Sequence, residues 1–218
     1  MDYGLRSIQN WDWATLLIVV SFILLAVTRH LFPRRFLEFL QLPITDKYFK
    51  LQGKGYEINH PFNMLFFVIQ VISISLFLYL LVFISQPKVT EENNWLYLQL
   101  LTGLSLFILA KYFLEKLFSN ILAMETLVNS YLYEKLSYTG IISLLILVGN
   151  VVFYFAIKPS GVTIWIFTLV IVGLHLMSLI SSFKRNWNVI LRHFSYFILY
   201  LCALEIAPYI ILYHMVNL

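Results

Sequence analysis

Six long apolar stretches dominate this chain, at about 13–32, 62–85, 96–118, 139–157, 163–183 and 194–216. Each is close to the ~20 residues that a helix needs to cross a hydrocarbon core about 30 Å thick. Lipid offers no hydrogen bonds, so the backbone of each stretch must pair within its own segment, as a helix does. The Val- and Ile-rich run Leu16 to Val20 would favour a strand in water. Length decides against that, because barrel strands are about 9–11 residues of alternating character. Composition agrees. Charged residues make up 12% of the 218 positions, against about 25% in soluble domains.

The punctuation falls where crossing helices require it. Pro33, Pro43, Pro61, Pro87 and Pro159 lie outside the six stretches, and only Pro208 lies within one. Trp11, Trp13, Trp95 and Trp165 sit at or near stretch ends, at the depth indole rings prefer. The first stretch is read as a permanent span. Asp2 and Asp12 outweigh Arg6 before it, and no small-residue cleavage pattern follows Leu25 and Ala26.

Orientation follows from the basic residues. With six spans, residues 29–61, 111–138 and 184–193 share one side and hold 12 of the 15 Lys and Arg. The other side has Arg6, Lys88 and Lys158. The basic side is expected to be cytoplasmic, with both termini periplasmic. The net charge of +4 has the same origin. It implies anionic lipid headgroups as partners and no nucleic acid. Arg34, Arg35, Lys184, Arg185 and Arg192 are the expected inner-surface basic residues.

The outer connections, 86–95 and 158–162, are short, and the first inner one, 33–61, is the longest. The run Arg34-Arg35-Phe36-Leu37-Glu38-Phe39-Leu40 mixes charge and bulk, as a short helix in the headgroup layer does; a docking site for a cytoplasmic partner is the alternative. Gly53-Lys54-Gly55 lacks the spacing of a phosphate-binding loop. The segment 117–137 is apolar but interrupted by Asn120, Glu125, Asn129 and Glu134. It is read as an extension of the third helix or as an amphipathic helix on the inner surface.

Polar groups inside the spans carry the functional signal, since an ionisable residue at mid-membrane costs at least about 2.5 kcal/mol. Glu205 is the clearest, near the midplane of the last span, with Pro208 one turn on to kink the helix. Measured from the cytoplasmic end, Gln70 and His175 lie roughly 12 Å deep, Asn150 and Glu205 roughly 17 Å, and Lys111 roughly 10 Å. These five could converge in one layer. They would act as structural hydrogen bonders or as a proton or cation site centred on Glu205. Lys111 also has Glu115 at i+4.

Familiar chemistries find no motif. There is no His-Glu-x-x-His, no Gly-x-Ser-x-Gly and no aspartate deep in a span. The single Cys202 allows no internal disulfide. No catalytic, metal or cofactor site is therefore expected.

The run from Phe197 through Cys202, Glu205 and Pro208 to Tyr213 resembles the C-terminal signature of a bacterial multi-pass membrane family. That family carries a domain-of-unknown-function label and is typical of Bacteroidota. The resemblance implies the inner membrane of a Gram-negative envelope and brings no activity. The expectation is an all-α integral membrane bundle of six transmembrane helices forming one domain. Its role would be non-enzymatic, as an accessory or assembly component of a larger envelope system, with a membrane protein partner or as a homo-oligomer. The alternative is a proton- or cation-coupled transporter using Glu205.

Overall fold

The computed structural model describes residues 11–42, 60–93, 95–121, 125–157 and 160–192. Every element in it is helical: α1 (Asp12–Leu31), α2 (Pro33–Leu40), α3 (Pro61–Ser85), α4 (Pro87–Glu92), α5 (Leu96–Ile121), α6 (Glu125–Val151) and α7 (Gly161–Arg192). A π-helical turn, Val152–Ala156, closes α6. Five of these helices, α1, α3, α5, α6 and α7, are long and apolar enough to cross a membrane. They match the first five expected spans, so the chain is a helical membrane bundle. The sixth, 194–216, lies outside the described residues, and Glu205 and Pro208 with it.

Proline sets three helix starts. Pro33, Pro61 and Pro87 each open their helix, where a missing N–H costs nothing and the fixed φ is already helical. At α3 the His60 Nδ1 accepts from the Phe62 N–H at 3.1 Å and caps the turn. Pro33 also ends α1, leaving Phe32 at φ −130°, ψ 58° as the corner into α2. Phe32 then stacks edge-on against His60, with ring centroids 5.0 Å apart. That contact brings the end of α1 to the start of α3 and defines one end of the bundle, called here the basic end.

α3 and α6 form the central pair. α1 and α5 pack on α3, α7 packs on α6, and α2 touches α1 and α6. The faces are sorted as lipid demands rather than as water demands. On α1 the buried positions are Ala14, Ile18, Ser21 and Thr28, while Leu16, Val19, Phe22, Ile23 and Val27 are exposed. Hydrocarbon solvates Leu as well as a protein core does, so small residues that allow close approach take the interface. The buried hydroxyls return to their own helix. Ser21 Oγ donates to the Leu17 carbonyl at 2.9 Å, and Thr28 Oγ1 to that of Leu24 at 2.7 Å.

At the opposite end, rings from four elements interlock. Trp11 lies edge-on to Phe83 and Tyr154, at 5.4 and 5.0 Å, and Trp13 meets Tyr79 and Tyr97 at 5.0 and 4.9 Å. Amphipathic rings suit the interfacial depth.

The 117–137 segment is not an inner-surface helix. Residues up to Ile121 prolong α5, and from Glu125 the chain is already in α6. Tyr131, Leu132, Tyr133 and Glu134 are all buried. Four consecutive buried positions leave no face for headgroups, so this stretch lengthens the fourth span inside the bundle.

Candidate functional site

The charged residues that the bundle buries gather around the first half of α6, at the basic end. Three neighbours supply partners. From α2, Arg35 Nη2 donates to the Tyr133 hydroxyl at 3.3 Å, and its guanidinium lies 5.5 Å from the centre of the Phe62 ring. From α5, Glu115 Oε1 accepts from Lys135 Nζ at 3.0 Å. From α7, Ser182 Oγ donates to Glu134 Oε2 at 2.6 Å. Glu115 is 2% exposed and Glu134 4%, so both carboxylates rely on protein partners rather than water. The Lys135 ammonium also stands 5.8 Å from the Tyr131 ring centre, a cation–π distance.

Helical spacing explains the convergence. Lys111, Glu115 and Ser119 recur at i, i+4 and i+8 and are all buried. Tyr131 and Lys135 form the matching stripe on α6, and Glu134 is turned about 100° away, toward α7. His175 is half-buried two turns from Ser182 on α7. The contacts tie α2, α5, α6 and α7 together through opposite charges and hydroxyls. Among the described residues, no group of three His, Cys, Asp or Glu side chains is placed to hold a metal ion.

The residues singled out from the sequence take different positions. Asn150 is fully buried and its Nδ2 donates to the Ser73 carbonyl at 2.8 Å. Ser73 stands twelve residues into α3, about 18 Å from its start and so near mid-span. Asn150 Oδ1 and Ser73 Oγ there have no hydrogen-bond partner among the described residues. One turn of α6 further on, the Tyr154 hydroxyl donates to the Leu76 carbonyl at 3.1 Å. Asn150 and Tyr154 thus stitch α6 to α3 through carbonyl lone pairs that the helix ladder leaves spare. Gln70 is buried one turn nearer the basic end and lines an apolar cavity. Lys111 is buried one turn before Glu115, which also meets Lys135.

Of the expected surface basics, Arg34 and Lys184 are exposed. Arg35 is not a surface residue: it is 7% exposed, because α2 turns Arg35 and Phe39 together toward α6. Arg185 and Arg192 fall within α7. Glu134, Lys135, Tyr133 and Ser182 were not legible as site residues. The available signal was Glu134 itself, a carboxylate interrupting an apolar run one position before a lysine.

A family model described as "Domain of unknown function (DUF4271)" matches residues 14–216. The chain belongs to the DUF4271 family. The DUF4271 match runs from the third residue of α1 through α7 and on past the Phe197–Tyr213 run that carries the resemblance. Neither a curated protein nor a solved structure matches the chain.

Proposed function

We propose that this DUF4271 protein is a non-enzymatic component of the bacterial inner membrane, an accessory or assembly partner of a larger envelope system. One observation carries the reading. The polar groups buried between its helices join helix to helix: Glu115 to Lys135, Glu134 to Ser182, Arg35 to Tyr133 and Asn150 to Ser73. Side chains used in this way fix the relative rotation of spans and hold a shape. The lateral surface is consistent with a partner. Leu96–Ile121 buries 11% of its most apolar window within the described chain, against 50% for Pro61–Ser85. A second membrane protein is one of the surfaces that can cover the rest of α5, as lipid is.

The test is purification in mild detergent after cross-linking in cells. The expected outcome is a stoichiometric membrane partner or a defined homo-oligomer that survives size-exclusion chromatography. A monomer free of cross-linked partners would sink the proposal. In that case transport through Glu205 is the reading to examine, by uptake into proteoliposomes with Glu205→Gln.

A further inference from the structure

A cavity of about 280 Å³ lies between α3 and α5 near the basic end, with α2 and the first half of α6 behind it. Its lining runs from Phe62 to Gln70 along α3, about 12 Å by helix rise. Aromatic rings from three helices, Phe39, Phe66 and Tyr112 among them, shape the walls. The cavity is open where its lining includes Met64, Val68 and Leu109, which are 57%, 44% and 40% exposed on the lateral faces of α3 and α5. In a bilayer those residues meet acyl chains, so a ligand would enter from the membrane rather than from water.

The polar side chains in the lining are Asn63, Gln70, Ser137 and, through its phenol hydroxyl, Tyr112. The Ser137 hydroxyl hydrogen is used on the Tyr133 carbonyl at 2.8 Å. Asn63 has interactions of its own. Gln70 differs. The residue is 5% exposed and lines the cavity, and its amide is not among the side-chain groups shut away without a partner, so it opens onto the cavity itself. An amide that opens onto an apolar cavity gains from a hydrogen-bond partner there, and an acyl chain would supply none. A ligand meeting both demands has a flat apolar head carrying a carbonyl oxygen and an apolar tail long enough to leave through the mouth.

We propose that this cavity binds a membrane quinone, with the Gln70 amide N–H donating to a ring carbonyl and the tail passing between Val68 and Leu109 into the bilayer. Flat rings stack against Phe66 and Tyr112 in offset or edge-on geometry. The site is independent of the assembly role proposed above. Binding is the whole claim, with no electron transfer assigned.

The experiment adds decyl-substituted benzoquinone to the purified full-length chain in detergent and reads binding by calorimetry. Saturable one-to-one binding is expected, weakened at least tenfold in Gln70→Leu, which keeps the volume and removes the donor. Leu109→Trp, which fills the mouth, is expected to abolish binding, and it serves as the test if Gln70→Leu fails to fold. No saturable binding, or undiminished affinity in either folded variant, would overturn the assignment. So would stoichiometric phospholipid phosphorus that co-purifies with the wild-type chain and is lost in Leu109→Trp, since a lipid tail would then be the occupant.

Discussion

At the residue scale, the basic-end cluster makes a sharp energetic prediction. Removing one member of a buried ion pair leaves an uncompensated charge, whereas replacing both with apolar groups of similar size is often neutral or stabilising. Glu115→Ala is therefore expected to cost about 3 kcal/mol, by removing the carboxylate that Lys135 Nζ meets at 3.0 Å in a buried setting. Glu115→Leu combined with Lys135→Met should recover most of that loss. Asn150→Leu removes one interhelical hydrogen bond at mid-span and should cost only about 1 kcal/mol. Chemical denaturation in micelles separates the cases. Equal losses for Glu115→Ala and Asn150→Leu would mean the ion pair is no more than an ordinary contact. None of these pairings could be read from sequence. Lys111 and Glu115 satisfy the i, i+4 rule, but spacing gives no sign that Glu115 also holds Lys135, twenty positions later on the facing helix. Spacing along one helix constrains local pairs and says nothing of what a neighbouring helix presents.

At the scale of elements, α6 is held by close approach on two sides. A β-carbon at Gly149 would overlap the Phe167 ring of α7, while one at Gly140 would lie 3.0 Å from Phe39 Cζ of α2. Phe167 cannot swing away freely, being packed edge-on against Phe77 and Phe153 at 5.5 and 5.3 Å. Gly149→Ala is expected to destabilise by about 1–3 kcal/mol through overpacking, and Phe167→Leu in the same chain to restore part of it. Gly140→Ala should cost less, since one ring edge need move only a few tenths of an ångström. Melting curves in detergent test the order, and a Gly149→Ala variant as stable as wild type would show that α6 and α7 separate without penalty. Helix ends were largely legible because prolines and polar residues mark them along the chain. The start of α6 was not, because Glu125, Asn129 and Glu134 look like an aqueous segment until the partners of Glu134 and Lys135 are seen.

At the scale of the molecule, the bundle has one end rich in Lys and Arg and another rich in aromatic rings. The basic end is proposed to face the cytoplasm. In a Cys202→Ser background, Lys88→Cys should react with an impermeant maleimide added to spheroplasts, and Lys184→Cys only after permeabilisation. The reverse pattern would invert the topology. Length and charge decide which solvent each segment meets, and both are properties of consecutive residues. The sequence by itself therefore determined that the chain lives in lipid, roughly where its first five spans run, the start of the fourth excepted, and which connections are basic. Tertiary structure alone decided what the buried polar groups do: that Arg35 turns inward, that Glu115 and Glu134 find α6 and α7, and that Gln70 faces a cavity. The physical reason is rotation about the helix axis. Lipid solvates every apolar face alike, so hydropathy leaves that rotation open, and contacts such as Ala14, Ser21 and Gly149 at the interfaces fix it.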